Sequence, residues 1–272
     1  MNAATHYDAF AADYTAAERS RLSFRRGIVF PTYLSAVGSV QGKSVLDVGC
    51  GYGTYTRMFR RDGARYVVGV DISPEMIALA RARDTAKPGT IEYLVHAAEE
   101  MPVLGQFDVI SAAFLLPYAK TSDELQQMCE RMAANAAPGG SIALIVDDSH
   151  YDPGLPIPQG CGLTIRVPVS PLDGDLIELD VADPPACTIR YQYWRRQSYE
   201  HALGTAGFTS IQWHSLAWNN PAQPDPPEAF AAYLRNPHIA VLTATKQKAD
   251  GLQETEVTSK APCRPGRPEV IT

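Results

Sequence analysis

An α/β fold, built on a mostly parallel sheet with helices on both faces, is predicted by two features of this sequence. Short apolar runs alternate with helical stretches between residues 43 and 147, the pattern that connects parallel strands. The first run opens into Gly49-Cys50-Gly51-Tyr52-Gly53, and the next ends in an acid, Asp71. A strand, a glycine turn, a helix and a strand-end acid in that order form a nucleotide-type crevice.

The elements follow in order. Residues 5–38 read as a helical cap, with Phe10, Tyr14, Phe24, Ile28, Tyr33 and Leu34 near helical spacing and Gly38 as a stop. Lys43 to Val48 is a strand, followed by a helix to Asp62-Gly63. Arg65 to Val70 is the second strand. Ser73-Pro74-Glu75 starts a helix, Ser73 as N-cap and Pro74 at the first helical position, running to about Arg83. Thr90 to Val95 and Phe107 to Ala113 are further strands. Ser122 to Ala137 is a helix stopped by Pro138-Gly139-Gly140, and Ser141 to Asp147 is the fifth strand.

Residues 149–190 break the pattern. This Pro- and Gly-rich stretch, with β-like pieces at Gly162 to Val169 and Asp175 to Val181, reads as an insertion that acts as a lid. A helix from Ser198 to Ala206 and strands at Thr209 to Leu216 and His238 to Thr245 complete a single domain over residues 1–247. Residues 248–272 are poor in apolar side chains and read as a disordered tail.

Composition excludes several classes. The chain has 272 residues, 45% of them apolar, ample for a core. A net charge of −6 lacks the electrostatic footprint of a nucleic-acid binder. No apolar run approaches a membrane span, and acids at Asp8, Asp13 and Glu18 replace the basic start of a secretory signal. Five dispersed cysteines without a CxxC pair argue against a disulfide framework and a zinc site. The expectation is a cytoplasmic protein, monomer or homodimer, with a small-molecule substrate, no resident metal, and neither nucleic acid nor membrane as partner.

The glycine turn brings ligand close to bare backbone at a helix N-terminus. Asp47 lies two residues before the first glycine, and Asp71 lies 18 residues past Gly53, where a carboxylate can accept from both hydroxyls of a ribose. The spacing is GxGxG; the GxGxxG of nicotinamide enzymes would need a glycine at Thr54.

These segments resemble the class I S-adenosylmethionine-dependent methyltransferases. The likeness rests on Leu46-Asp47-Val48-Gly49-Cys50-Gly51-Tyr52-Gly53, Gly69-Val70-Asp71-Ile72-Ser73-Pro74-Glu75-Met76, Phe107-Asp108-Val109-Ile110 and Ala137-Pro138-Gly139-Gly140, with Tyr7 to Tyr14 similar to a helix folded over the cofactor. It spans about residues 5 to 147. It implies a Rossmann-like, mostly parallel seven-stranded sheet with an antiparallel last strand, here carrying a β-rich insertion between its fifth and sixth strands. It also implies S-adenosylmethionine as cofactor, with S-adenosylhomocysteine as product.

On that resemblance the backbone at Gly49, Cys50, Gly51 and Gly53 holds the methionine moiety and Asp47 its ammonium. Asp71 binds the ribose, Ile72 and Met76 flank the adenine, and Phe114 meets the methyl group. Where the family often places an acid after its third strand, this chain has Ala97, so adenine recognition falls to Ala97, Ala98 or Glu99. Tyr7 and Tyr14 are candidates to face the sulfonium, with packing of an amphipathic helix as the alternative.

A looser likeness, from about 7 to 245, is to the toxoflavin-pathway N-methyltransferases, carried by Leu104 to Asp108 and by Trp194 to Tyr199 through Ala206-Gly207-Phe208 with Trp213. It implies a ring nitrogen of a heterocyclic secondary metabolite, as in antibiotic biosynthesis, as acceptor. Small-molecule O-methylation is the alternative, and a cofactor-binding protein that does not methylate is the alternative of another class. Tyr14, Tyr118, Trp194, Trp213 and Arg166 are substrate candidates. No general base is assigned: Asp147, His150 and His214 are the candidates, and an ordinary polar role is the plainer reading of each.

Overall fold

The computed structural model describes residues 25–84, 90–182, 186–221 and 223–248. Most of the expected N-terminal cap, with Tyr7 and Tyr14, and all but residue 248 of the expected tail lie outside them. The chain forms a seven-stranded sheet, a smaller three-stranded sheet and flanking helices.

The strands of the large sheet are β1 (Ser44–Val48), β2 (Tyr66–Asp71), β3 (Ile91–Val95), β4 (Phe107–Ala113), β5 (Ala136–Asp147), β9 (Phe208–His214) and β10 (Ile239–Lys246). Their order is β3-β2-β1-β4-β5-β10-β9. β1 to β5 run parallel, and β10 runs antiparallel to both β5 and β9. The expected mostly parallel sheet with an antiparallel last strand is what forms.

Strands this apolar must be buried on both faces, and alternation assigns the faces. Leu46, Ile110, Leu144 and Val146 pack under α4 (Ser122–Asn135) and α5 (Arg196–Thr205), against Met128, Met132 and Leu203. Val45, Val109, Ile145 and Val241 pack on the other face, against Ile28 and Tyr33 at the start of the chain and Phe59 of α2 (Thr54–Arg61). Tyr33 sits in α1 (Phe30–Val37), which a π-helical turn at Arg25–Val29 precedes. On α3 (Pro74–Arg83), the Ser73 hydroxyl accepts from the Met76 amide at 3.1 Å, as the N-cap reading requires.

Several boundaries differ from expectation. α4 ends at Asn135, and Pro138-Gly139-Gly140 is taken into β5, because the chain reverses through Gly139 at φ +78° and returns at once to pairing with β4. A short helix, α6 (Glu228–Tyr233), closes the Pro-rich connection before β10 and buries Phe230 and Tyr233. Sequence reasoning missed it.

The insertion is a three-stranded antiparallel sheet of β6 (Leu163–Arg166), β7 (Leu176–Val181) and β8 (Cys187–Gln192). The third strand was not expected, and the first is shorter than the run to Val169. Register gives the sheet two chemically distinct faces. Ile165, Leu179 and Ile189 align across it, as do Ile177 and Tyr191; Arg166, Glu178 and Arg190 align on the other. Arg166 pairs with Glu178 at 2.9 Å and with Asp180, and Arg190 pairs with Glu178 at 2.8 Å. The apolar face turns inward: Ile177 and Tyr191 are buried, and Leu163 and Ile165 pack on the core.

Candidate functional site

A cavity of about 380 Å³ opens at the carboxyl ends of the first four strands, where open α/β sheets bind ligands. Its size suits a small-molecule site. Its floor is the turn after β1, with Gly49, Gly51 and Gly53 at φ +69°, +53° and +80°. Left-handed backbone at three alternate positions explains why glycine recurs there. A Cβ on Gly53 would lie 2.6 Å from the Tyr93 hydroxyl, whereas one on Gly51 would meet nothing within 4 Å. The space before Gly51 is therefore open cavity.

Asp71 ties this turn to the next strand. It is 9% exposed and lines the cavity, accepting from the Gly51 amide at 2.7 Å and the Ser73 amide at 3.0 Å. A carboxylate at the end of the second strand is the group that can accept from a pair of ribose hydroxyls. Ile72 and buried Met76 line the same wall. The turn after β3 brings Ala97, Ala98 and half-buried Glu99, and Cys50 lies on the floor with its thiol pushed up by burial.

Phe114 closes the far side. It holds φ +60°, a conformation bulky residues rarely adopt, and its amide donates to Ile145 at 2.9 Å. Tyr118, from the turn at Leu116–Tyr118, also lines the cavity. So do His96, Tyr55, Lys120 and Glu124, which sequence reasoning did not single out. His96 directly follows β3, which was an available signal; Tyr55 and Glu124 lie in the first turns of helices and Lys120 in the connection before one.

Other expected residues lie elsewhere. Asp47 sits beneath the floor, 1% exposed, with its oxygens held by Thr56 at 2.6 Å and Ser111 at 2.7 Å. Burial pushes its carboxyl up to about 6. The residue braces the turn rather than lining the cavity. Arg166 is on the solvent face of the inserted sheet, engaged by acids. Trp194 is buried in the core and donates to the Ala119 carbonyl at 3.2 Å. Trp213 and His214 lie on the edge strand β9, bound to Glu200 and Thr243. His150 is exposed. Of the three base candidates, Asp147 lines a second cavity of about 90 Å³ under the inserted sheet.

The chemistry of this set fits S-adenosylmethionine: an open cradle over glycine backbone, a buried strand-end carboxylate at Asp71, and on the next wall the Ala97 and Ala98 backbone beside the Glu99 carboxylate. Among the described residues no helix is long and apolar enough to cross a membrane, and no group of three His, Cys, Asp or Glu side chains gathers as metal ligands.

Comparison with known proteins agrees with this geometry. The family described as "Methyltransferase domain" matches residues 45–140, the stretch that contains the strands that build the cavity. N-demethylindolmycin N-methyltransferase of Streptomyces griseus is 28% identical over 203 residues, 72% of this chain and 82% of that protein. Ribosomal protein L11 methyltransferase of Burkholderia ambifaria is 35% identical over 103 residues, but these cover only 38% of this chain and 31% of that enzyme. The crystal structure of an S-adenosylmethionine-dependent methyltransferase from Mesorhizobium loti superposes with a TM-score of 0.59 at 20% identity, over 80% of this chain and 97% of that one.

Proposed function

We propose that this chain, a class I S-adenosylmethionine-dependent methyltransferase, methylates a ring nitrogen of a small heterocyclic secondary metabolite. One observation carries the acceptor class. The likeness to the Streptomyces N-methyltransferase extends over 203 residues, well past the cofactor-binding segment that is shared with the L11 enzymes. The part of the chain that follows β5 is where acceptor specificity resides, because the cofactor segment is common to enzymes with unlike substrates.

The cofactor supplies an electrophilic methyl group on a sulfonium. The chain's own work is alignment and exclusion of water. Asp71 fixes the ribose, and the backbone of the glycine turn holds the methionine moiety. Phe114 stands between β4 and β5 where a methyl donor and an acceptor meet. The inserted sheet covers the ends of these strands with its apolar side, so a flat, weakly polar acceptor is held in a dry place. Arg166 and Arg190 point their charge to solvent and leave that side free of cations.

The test is incubation of the full chain with S-[methyl-13C]adenosylmethionine and, separately, N-demethylindolmycin, small ring N–H heterocycles, phenols and ribosomal protein L11. Labelled N-methyl product from the heterocyclic set is expected. Label found only on phenol oxygen or only on L11 overturns the reading.

A further inference from the structure

One short segment, Phe114 to Ala119, belongs both to the wall of the cofactor cavity and to the seat of the inserted sheet. Phe114, Leu115 and Tyr118 line the cavity, and β8 packs on the turn Leu116–Tyr118. The same three side chains are half-buried, whereas Leu116, Pro117 and Ala119 are buried in the core.

The segment is held along its whole length. The Phe114 amide donates to the Ile145 carbonyl at 2.9 Å, and the Tyr118 and Ala119 amides donate to the Leu115 and Leu116 carbonyls at 3.0 Å each. The Trp194 indole, just past β8, donates to the Ala119 carbonyl at 3.2 Å. Leu115 packs on the glycine turn: a Cβ on Gly49 would lie 3.0 Å from its Cδ1. This support keeps Phe114 at φ +60°. Strain of that kind persists only where the surroundings fix it, and it gathers at ligand sites.

Strand order leaves this wall for a second molecule. The cofactor's contacts are expected from the ends of β1, β2 and β3, at Gly49 to Gly53, Asp71 to Met76 and Ala97 to Glu99. β4 and β5 follow on the other side of β1. There Phe114 and Tyr118 bring two aromatic side chains to the cavity. Phe114 is wholly apolar, while the Tyr118 hydroxyl can both donate and accept. The acids Asp71, Glu99, Glu100 and Glu124 line the cavity against the single ammonium of Lys120, which disfavours an anionic ring.

We propose that Tyr118 determines acceptor specificity: an uncharged flat ring lies against Phe114 and Tyr118, and the Tyr118 hydroxyl bonds a nitrogen or oxygen at the ring's edge. This rests on the reading above of a small heterocyclic acceptor, but not on which atom takes the methyl group. Tyr118 moves no proton here. It turns the ring so that one edge meets the methyl group on line. None of the described residues of the inserted sheet lines the cofactor cavity, so the influence of the insertion on acceptor choice passes through this turn.

The test uses the full chain saturated with S-adenosylhomocysteine and three probes: benzimidazole (flat, uncharged), benzoate (flat, anionic) and cyclohexanol (puckered, uncharged). The protein carries 13C in its tyrosine rings, and the Tyr118 resonance is assigned by its loss in Tyr118→Phe. Benzimidazole is expected to shift that resonance, and the other two to leave it unmoved. Tyr118→Phe is expected to weaken benzimidazole about 3- to 10-fold, the loss of one neutral hydrogen bond. Tyr118→Ala removes the aromatic face as well and is expected to weaken it by about tenfold or more. A resonance that benzimidazole does not move, or that benzoate or cyclohexanol moves equally, overturns the proposal. So does wild-type benzimidazole affinity in Tyr118→Phe. Loss of S-adenosylhomocysteine affinity as large as the loss of benzimidazole affinity in Tyr118→Ala also overturns it, because Tyr118 then serves the cofactor. If benzimidazole binds at Tyr118 but label goes only to L11, the ring site stands and the reading of a heterocyclic acceptor falls. If heterocycles are labelled while the Tyr118 resonance stays fixed, that reading stands and this proposal falls.

Discussion

Asp71→Ala is expected to lower the affinity for S-adenosylhomocysteine by at least tenfold, and by up to about a hundredfold, a loss of about 1.4–2.8 kcal/mol. Two effects add. The carboxylate no longer accepts from the ligand's hydroxyls, and charge-assisted bonds of that kind contribute about 1.5–3 kcal/mol. The Gly51 and Ser73 amides also lose the acceptor that fixes the glycine turn against β2. Asp71→Asn separates these: its amide oxygen keeps one of the two backbone bonds, so part of the loop order survives and a smaller loss follows. Equal affinity in wild type and Asp71→Ala, by competition or calorimetry, would place the nucleoside elsewhere.

Arg196→Ala is expected to have the largest effect on stability among single changes near the site. Its guanidinium makes two bonds of 2.8 Å to Asp148, whose side chain is 8% exposed, and stacks 4.4 Å from the centre of the Trp213 ring. Removing one partner of a buried pair leaves the other charge without compensation, which costs about 3–5 kcal/mol. For a chain of this size that lowers the melting temperature by about 6–20 °C. The strap also joins α5 to the end of β5. Arg196→Lys keeps the charge but neither the two-pronged contact nor the flat stack, and should recover less than half. A shift under 1 kcal/mol by urea denaturation would mean that Asp148 finds water instead.

The contrast between these two sites shows what was legible in the sequence. Gly49, Gly51, Gly53 and Asp71 were readable because each answers a local demand: a left-handed turn, an open cradle and a strand-end carboxylate at fixed spacing. The parallel sheet was readable because strands buried on both faces give unbroken apolar runs such as Ile142 to Val146. Trp194, Trp213 and Arg166 misled because residue type says nothing about which side of an element faces the crevice. Register decides that, and the antiparallel pairing of β7 with β6 and β8 was not visible without the third strand. Asp47 was readable as important but not in its role, since its partners Thr56 and Ser111 are 9 and 64 residues away. Arg196 was the reverse case: Asp148 lies 48 residues off, and only the folded chain pairs them.

The most direct measurement is calorimetric titration of S-adenosylhomocysteine into the full chain and into Gly51→Val, with NADH as a control ligand. Micromolar binding to the wild type is expected, none from NADH, and at least a hundredfold loss in Gly51→Val. That variant should stay folded, because its side chain enters open space in front of the turn, at a backbone cost of about 1–2 kcal/mol for φ +53°. Folded wild-type protein that gives no heat with S-adenosylhomocysteine, or a folded Gly51→Val variant that binds it as well as the wild type, would contradict the placement of the cofactor in this cavity.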